Sequence, residues 1–254
     1  MMDIDTAEFY SDGARYDLHH ARHAFAADIP FYIGQAHKHG EPILELGCGT
    51  GRISIPIAKE GMGLWGLDIS PAMLATARKK ADAMGLGINW MQADCRDFHL
   101  NQKFNLIFFP FNSIEHLLDL GDLEACLACV KEHLAPSGKF IVDIFNPSLS
   151  KLLYDPSQVN EITQYPDPDG SGTVKVLESH HYHRDSQILE VMWHYRREDG
   201  TTRKIPASMR IIFPQELDAI LKYNGLVLEE KLGDYDGSPF RADSPKQLAI
   251  TRLA

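Results

Sequence analysis

The chain has 254 residues, 44% hydrophobic and 24% charged, an ordinary globular balance that excludes disordered and fibrous classes. Its 25 basic and 35 acidic side chains give a formal net charge of -10, a field that repels phosphate backbones and anionic membranes. The longest apolar stretch, Leu106 to Phe111, is six residues, far short of the ~20 that cross a bilayer.

In chain order, the first residues, MMDIDTAEFY, carry no basic or apolar leader pattern, so no secretory signal is expected and the expected compartment is the cytoplasm. Residues 1–40 read as an N-terminal helical cap segment. From 41 onward, short apolar runs alternate with helix-length amphipathic stretches. The runs are PILELG (42–47), GLWGLD (63–68), INWMQAD (88–94), FNLIFFP (104–110) and KFIVDIF (139–145), with helical patterns near 52–60, 71–84 and 121–135. Continuous apolar runs mark strands buried on both faces, and this alternation predicts right-handed βαβ units around a mostly parallel sheet. Cys126 and Cys129 form a CxxC inside the third helical pattern. With no second pair they read as helix residues, a zinc or redox pair being the alternative.

After 146 the rhythm changes. Segments 173–184, 187–197 and 202–212 alternate in character and are joined by turn signals, as antiparallel hairpins are. Residues 165–172 read as a loop by composition. Helical PQELDAILKYNG (214–225) and the runs at 226–232 and 247–253 return to the first style. The division expected is therefore an α/β domain of 41–149 and 213–254, with an antiparallel β insert of 150–212 covering a pocket.

The sharpest chemical signal is ILELGCGTGRI (43–53). Gly47, Gly49 and Gly51 follow a buried strand, where an open α/β sheet brings its backbone close to a ligand. Asp68 ends the second run and can accept both hydroxyls of a ribose. Asp94 ends the third and can accept from the exocyclic amine of an adenine. A dinucleotide fingerprint has a third glycine where this chain has Arg52. Glu45 beside the loop disfavours a pyrophosphate and suits a cofactor with a positive end. An NAD-dependent oxidoreductase is thus the weaker alternative, and a non-catalytic cofactor-binding protein is a third.

ELGCGTGR, the Asp68 and Asp94 positions and FNLIFFPFNSIEHL resemble the motifs of class I S-adenosylmethionine-dependent methyltransferases, over about 43–145 and then the later helix and strands. The resemblance implies a Rossmann-like seven-stranded sheet with helices on both faces and the last strand antiparallel. It implies S-adenosylmethionine as cofactor. Glu45, Gly47, Gly49 and Gly51 would line its methionine end, with Cys48 in the same loop. Asp68 would hold the ribose with Ile69 and Met73 nearby, and Asp94 and Cys95 would bracket the adenine. Tyr16 and Phe111 complete the expected cofactor contacts.

Pro110-Phe111-Asn112-Ser113 departs from the motif of amine-methylating DNA enzymes, so no nucleic-acid partner is expected. FNSIEHL (111–117), the β-rich 179–200 and ARYDLHH (14–20) resemble small-molecule methyltransferases, including amino-sugar N-methyltransferases. That group implies a small-molecule methyl acceptor, a β insert roofing its pocket and a possible homodimer through the insert. Tyr10, Asn112, Tyr182, Trp193, Tyr195, Arg210 and Arg241 are the candidate substrate contacts. His116 is the candidate general base, with a hydrogen-bonded structural histidine as the alternative. His181 and His183 share a strand face, but no completing ligand is spaced for a metal site, so no metal is expected.

Overall fold

A computed structural model describes residues 8–20, 27–170 and 172–254. Parts of the expected cap (1–7 and 21–26) and of the expected loop (171) lie outside the described residues. The cap contributes α1 (Gly13–His20) and α2 (Asp28–His39). The main sheet takes β1 (Ile43–Leu46), β2 (Leu64–Asp68), β3 (Asn89–Gln92), β4 (Phe104–Phe109), β5 (Leu134–Phe145), β10 (Leu226–Leu232) and β11 (Lys246–Leu253). Their order is β10-β11-β5-β4-β1-β2-β3; β11 alone runs antiparallel to its neighbours, as the resemblance implies.

Two apolar layers explain why the strands read as continuous runs. Ile43, Leu106, Phe108 and Ile141 face α2 and α3 (Ser54–Lys59), while Leu44, Leu46, Ile107, Phe109 and Val142 face α5 (Leu120–His133) and α7 (Pro214–Tyr223). Alternate side chains thus enter opposite cores. Between β2 and β3, α4 (Pro71–Asp82) starts as its sequence predicts, with Ser70 at the N-cap accepting from the Met73 amide and proline in the first turn.

The second sheet is antiparallel, in the order β6 (Asn160–Pro166), β7 (Thr173–His183), β8 (Ile188–Arg197), β9 (Thr202–Arg210), and follows a short α6 (Leu149–Leu152). Two features differ from expectation: α6 is additional, and part of the expected loop is strand. Pro and Asp residues around 165–169 read as loop, yet Thr163 and Tyr165 are buried in alternation and β6 pairs along β7. Pro166 is tolerated because β6 is an edge strand and the proline ends it.

Candidate active site

The glycine loop turns from β1 into α3 through left-handed Gly47 (φ 64°), Gly49 (φ 53°) and Gly51 (φ 78°). A Cβ on Gly47 would stand 3.0 Å from the Phe109 ring, and one on Gly51 2.9 Å from Trp90, so both conformation and space demand glycine. Three of the loop's amides are consumed internally. Cys48 N donates to Leu67 O (3.0 Å), Gly51 N to Cys48 O (2.9 Å) and Gly49 N to Asp68 Oδ2 (2.7 Å). Asp68 Oδ1 accepts from Ser70 N at 2.8 Å. Burial raises the Asp68 pKa, and these two amides oppose the shift. At the tip of β3, Arg96 grips Asp94 through Nε and Nη2 and also reaches Asp122, which holds the Asp94 carboxyl below its usual range.

These strand tips open into one cavity of about 410 Å³. Its floor is Gly47, Gly49, Asp68, Ile69, Asp94 and Cys95, and its roof is the inner face of β7–β9. Residues 8–20 close one side. Thr50 donates to Asp17 at 2.6 Å, Lys80 to Asp17 at 2.8 Å, and Ser70 Oγ to the Tyr10 carbonyl at 2.8 Å. The same segment reaches the roof: His19 Nδ1 lies 2.9 Å from the Tyr195 hydroxyl, and Phe9 stacks on Trp193 at 5.9 Å.

Beyond β4 the chain bends sharply, with Phe111 (φ 57°) and Asn112 (φ 60°) both left-handed. Buried Asp143 anchors the bend. Its carboxylate accepts from Phe111 N (3.2 Å), its carbonyl accepts from Asn112 N (2.9 Å), and Asn112 Oδ1 accepts from Phe145 N (2.7 Å). Two adjacent non-glycine residues in this region are strained, as backbone near reactive centres often is. The bend presents the turn Ser113–His116 to the cavity. His116 Nδ1 is 3.1 Å from Ser208 O, and Nε2 is 2.7 Å from the Tyr10 hydroxyl. A carbonyl only accepts, so Nδ1 carries the hydrogen, and Tyr10 donates to the Nε2 lone pair. Burial lowers the His116 pKa and raises that of Tyr10, which keeps both groups neutral.

Residues 43–138 match the family described as Methyltransferase domain. The solved CcbJ methyltransferase of Streptomyces caelestis superposes with a TM-score of 0.80 at 27% identity, over 90% of this chain and 96% of that one. Residues 43–138 are thus a methyltransferase domain, and the chain resembles the class I S-adenosylmethionine-dependent methyltransferases. It is 33% identical over 120 residues to the dTDP-3-amino-3,4,6-trideoxy-alpha-D-glucopyranose N,N-dimethyltransferase of Streptomyces venezuelae, covering 47% of this chain and 49% of the relative. A Ubiquinone biosynthesis O-methyltransferase of Pasteurella multocida is 33% identical over 121 residues, covering 43% of this chain and 48% of that one. The chain thus spans about half the length of the curated relatives it matches.

A methyltransferase cofactor fits this donor set better than a dinucleotide does. A pyrophosphate needs loop amides and cations. Here three loop amides are already bonded, Arg96 is committed to Asp94 and Asp122, and Arg52 forks onto Asp28 at 2.8 and 2.6 Å. Of the residues expected from sequence, Tyr10, Tyr16, Gly47, Gly49, Asp68, Ile69, Asp94, Cys95, Phe111, Asn112, His116 and Trp193 line the cavity.

Eight other expected residues, Glu45, Cys48, Gly51, Met73, Tyr182, Tyr195, Arg210 and Arg241, are absent from the lining of this cavity. Glu45 lies behind the loop, hydrogen-bonded to Ser54, with its pKa pushed up to about 8 by burial. Cys48 and Met73 point into the core. Gly51 backs onto Trp90 and Ile55. Tyr182 packs in the apolar cluster of the insert, and Tyr195 is engaged with His19. Arg210 is held by Glu216 (2.9 Å) and Leu118 O (3.2 Å), and Arg241 sits in an exposed turn closed by Ser244.

Sequence reasoning missed Phe9, His19, His20, Arg96, Ser113 and Glu178. Glu178 was within reach, since period-two alternation places it on the face of buried Val174 and Val176. The His181 and His183 rings meet at 4.4 Å but do not line the cavity. Among the described residues His99, Glu132 and His133 bring ligand atoms within 4.8 Å of one another. His133 has no lone pair to offer, because Nε2 accepts from Leu100 N (2.9 Å) and Nδ1 bonds Cys129 O (2.7 Å).

Proposed function

We propose that this chain binds S-adenosylmethionine and transfers its methyl group to a nucleophilic nitrogen, oxygen or carbon of a small molecule. The observation that carries this reading is the single cavity. It joins a phosphate-averse glycine loop and two strand-tip carboxylates to an apolar, aromatic chamber containing the Tyr10–His116 pair. The sugar N,N-dimethyltransferase relative favours a sugar-like acceptor.

S-adenosylmethionine, when bound, would supply a methyl carbon made electrophilic by its sulfonium, which would leave as a neutral thioether. Asp68 would hold the ribose hydroxyls. Ile69, Asp94 and Cys95 would hold the base, and Gly47 and Gly49 would leave room for the methionine end. Tyr16 offers an aromatic wall suited to a cation, while the Phe111 ring already carries the Arg52 guanidinium at 4.9 Å. The apolar roof excludes water, and holding the nucleophile in place supplies several kcal/mol. An acceptor N–H or O–H passes its proton to the Tyr10 oxygen while Tyr10 passes its own to His116 Nε2, so the proton ends on the imidazole. Asn112 is a positioning residue, since its side chain fixes the bend.

Isothermal titration tests the reading. S-adenosylmethionine and S-adenosylhomocysteine should bind in the micromolar range, and Asp68→Ala should weaken both by about 10-fold or more, about 1.4 kcal/mol. No binding of either rejects it. Binding without labelled-methyl transfer to any extract component would instead leave a non-catalytic binder. A cytoplasmic site of action agrees with four free cysteines, and no helix among the described residues is long and apolar enough to cross a membrane. A homodimer through the insert is part of the proposal, and light scattering tests it.

A further inference from the structure

The insert turns six residues into the cavity: Glu178, Leu189, Val191, Trp193, Ala207 and Met209. Only Glu178 is ionisable, and a carboxylate in an apolar roof is costly unless it is paired. The other two carboxylates of the wall are already met, Asp68 by two amides and Asp94 by Arg96. Glu178 Oε1 lies 3.1 Å from His180 Nδ1, while His180 Nε2 lies 2.9 Å from Lys151 O. The Lys151 carbonyl only accepts, so Nε2 carries a hydrogen, and Nδ1 and Oε1 share one further proton between them. Glu178 Oε2 has no hydrogen-bond partner among the described residues. His180 therefore fixes the carboxyl and leaves one oxygen for a ligand.

Its position separates it from the reacting centre. Glu178 pairs across the strands with Trp193, and Trp193 with Ile205 on β9, the strand whose Ser208 holds His116. Two strand spacings, about 10 Å, lie between β7 and β9. Building on the methyltransferase reading, we propose that Glu178, positioned by His180, determines acceptor specificity. It binds a cationic group, an alkylammonium, carried by the acceptor away from the atom that receives the methyl. The Trp193 ring opposite adds an electron-rich wall for the same cation.

The test compares cyclohexylammonium with cyclohexanol, probes of one shape and different charge, by tryptophan fluorescence titration. It is run with and without saturating S-adenosylhomocysteine. The unaltered chain should bind the ammonium at least about 10-fold more tightly than the alcohol, about 1.4 kcal/mol. Glu178→Gln should abolish that preference, and Glu178→Asp should keep part of it, with the affinity for S-adenosylhomocysteine unchanged within about twofold. Circular dichroism checks that each variant folds. Equal binding of the two probes by the unaltered chain, or a preference that survives in Glu178→Gln, overturns the proposal. Failure of S-adenosylhomocysteine to bind overturns the methyltransferase reading instead, and the amine comparison without it still judges Glu178.

Discussion

Two buried titratable residues carry opposite consequences for pH. His116 accepts a proton only when neutral, and burial lowers its pKa from 6.5. The turnover rate should therefore be flat through neutral pH and fall only on the acid side, below the pH at which a free imidazole would charge. His116→Ala should lower kcat by about 10²-fold or more and erase that acid limb, while Tyr10→Phe should lower kcat with the Kd for S-adenosylmethionine nearly unchanged. An unaltered rate and profile in His116→Ala would make the histidine structural. Glu45 behaves differently. Its folded pKa of about 8 lies above the ordinary 4.5, so the folded chain holds the proton more firmly than the unfolded one. The associated stability is complete below about pH 4.5 and is lost as pH rises towards 8, with a slope of at most about 1.4 kcal/mol per pH unit. Denaturant titrations of Glu45→Gln should show a flatter pH dependence across that window than the unaltered chain.

At the scale of elements, residues 8–20 form a strap across the cavity, held on the loop side by Thr50, Ser70 and Lys80 and on the roof side by Tyr195 and Trp193. Asp17 takes two of these bonds, so Asp17→Ala should loosen the strap. The expected reading is faster hydrogen exchange over 8–20, and binding of S-adenosylhomocysteine should slow it in the unaltered chain. Exchange that does not change in the variant would place the strap's stability elsewhere. The strands that build the floor were legible because each is sandwiched between two apolar layers and reads as an unbroken run. The place of Asp68, Asp94, Gly47 and Gly49 on the cavity was legible because they sit at strand ends, where chain order alone fixes position. Arg210 and Glu45 lie off the cavity lining because a polar side chain near a site in sequence can be engaged by a local partner, Glu216 in one case and Ser54 in the other. Edge strand β6 was hidden by its proline, and the strap's contribution of Phe9, His19 and His20 depends on long-range contacts that leave no periodic signature.

For the whole molecule, the cavity lies where the two sheets and the strap meet, so a ligand there stabilises the chain as a unit. At 100 times its Kd, S-adenosylhomocysteine should add about 2.7 kcal/mol, which for a chain of this length is a rise in Tm of about 5 °C, and NAD should add none. Differential scanning fluorimetry measures both, and a rise with NAD equal to that with the nucleoside would count against the family's cofactor here. Tyr10 touches both halves of the chemistry: its carbonyl receives the hydroxyl that caps α4 beside Asp68, and its phenol meets His116. A single residue, through its backbone at one end and its phenol at the other, therefore works as a spacer bar between the proposed nucleoside seat and the proposed proton acceptor. Lifting that bar unseats both ends together, so neither half of the reaction is left assembled while the other stands open.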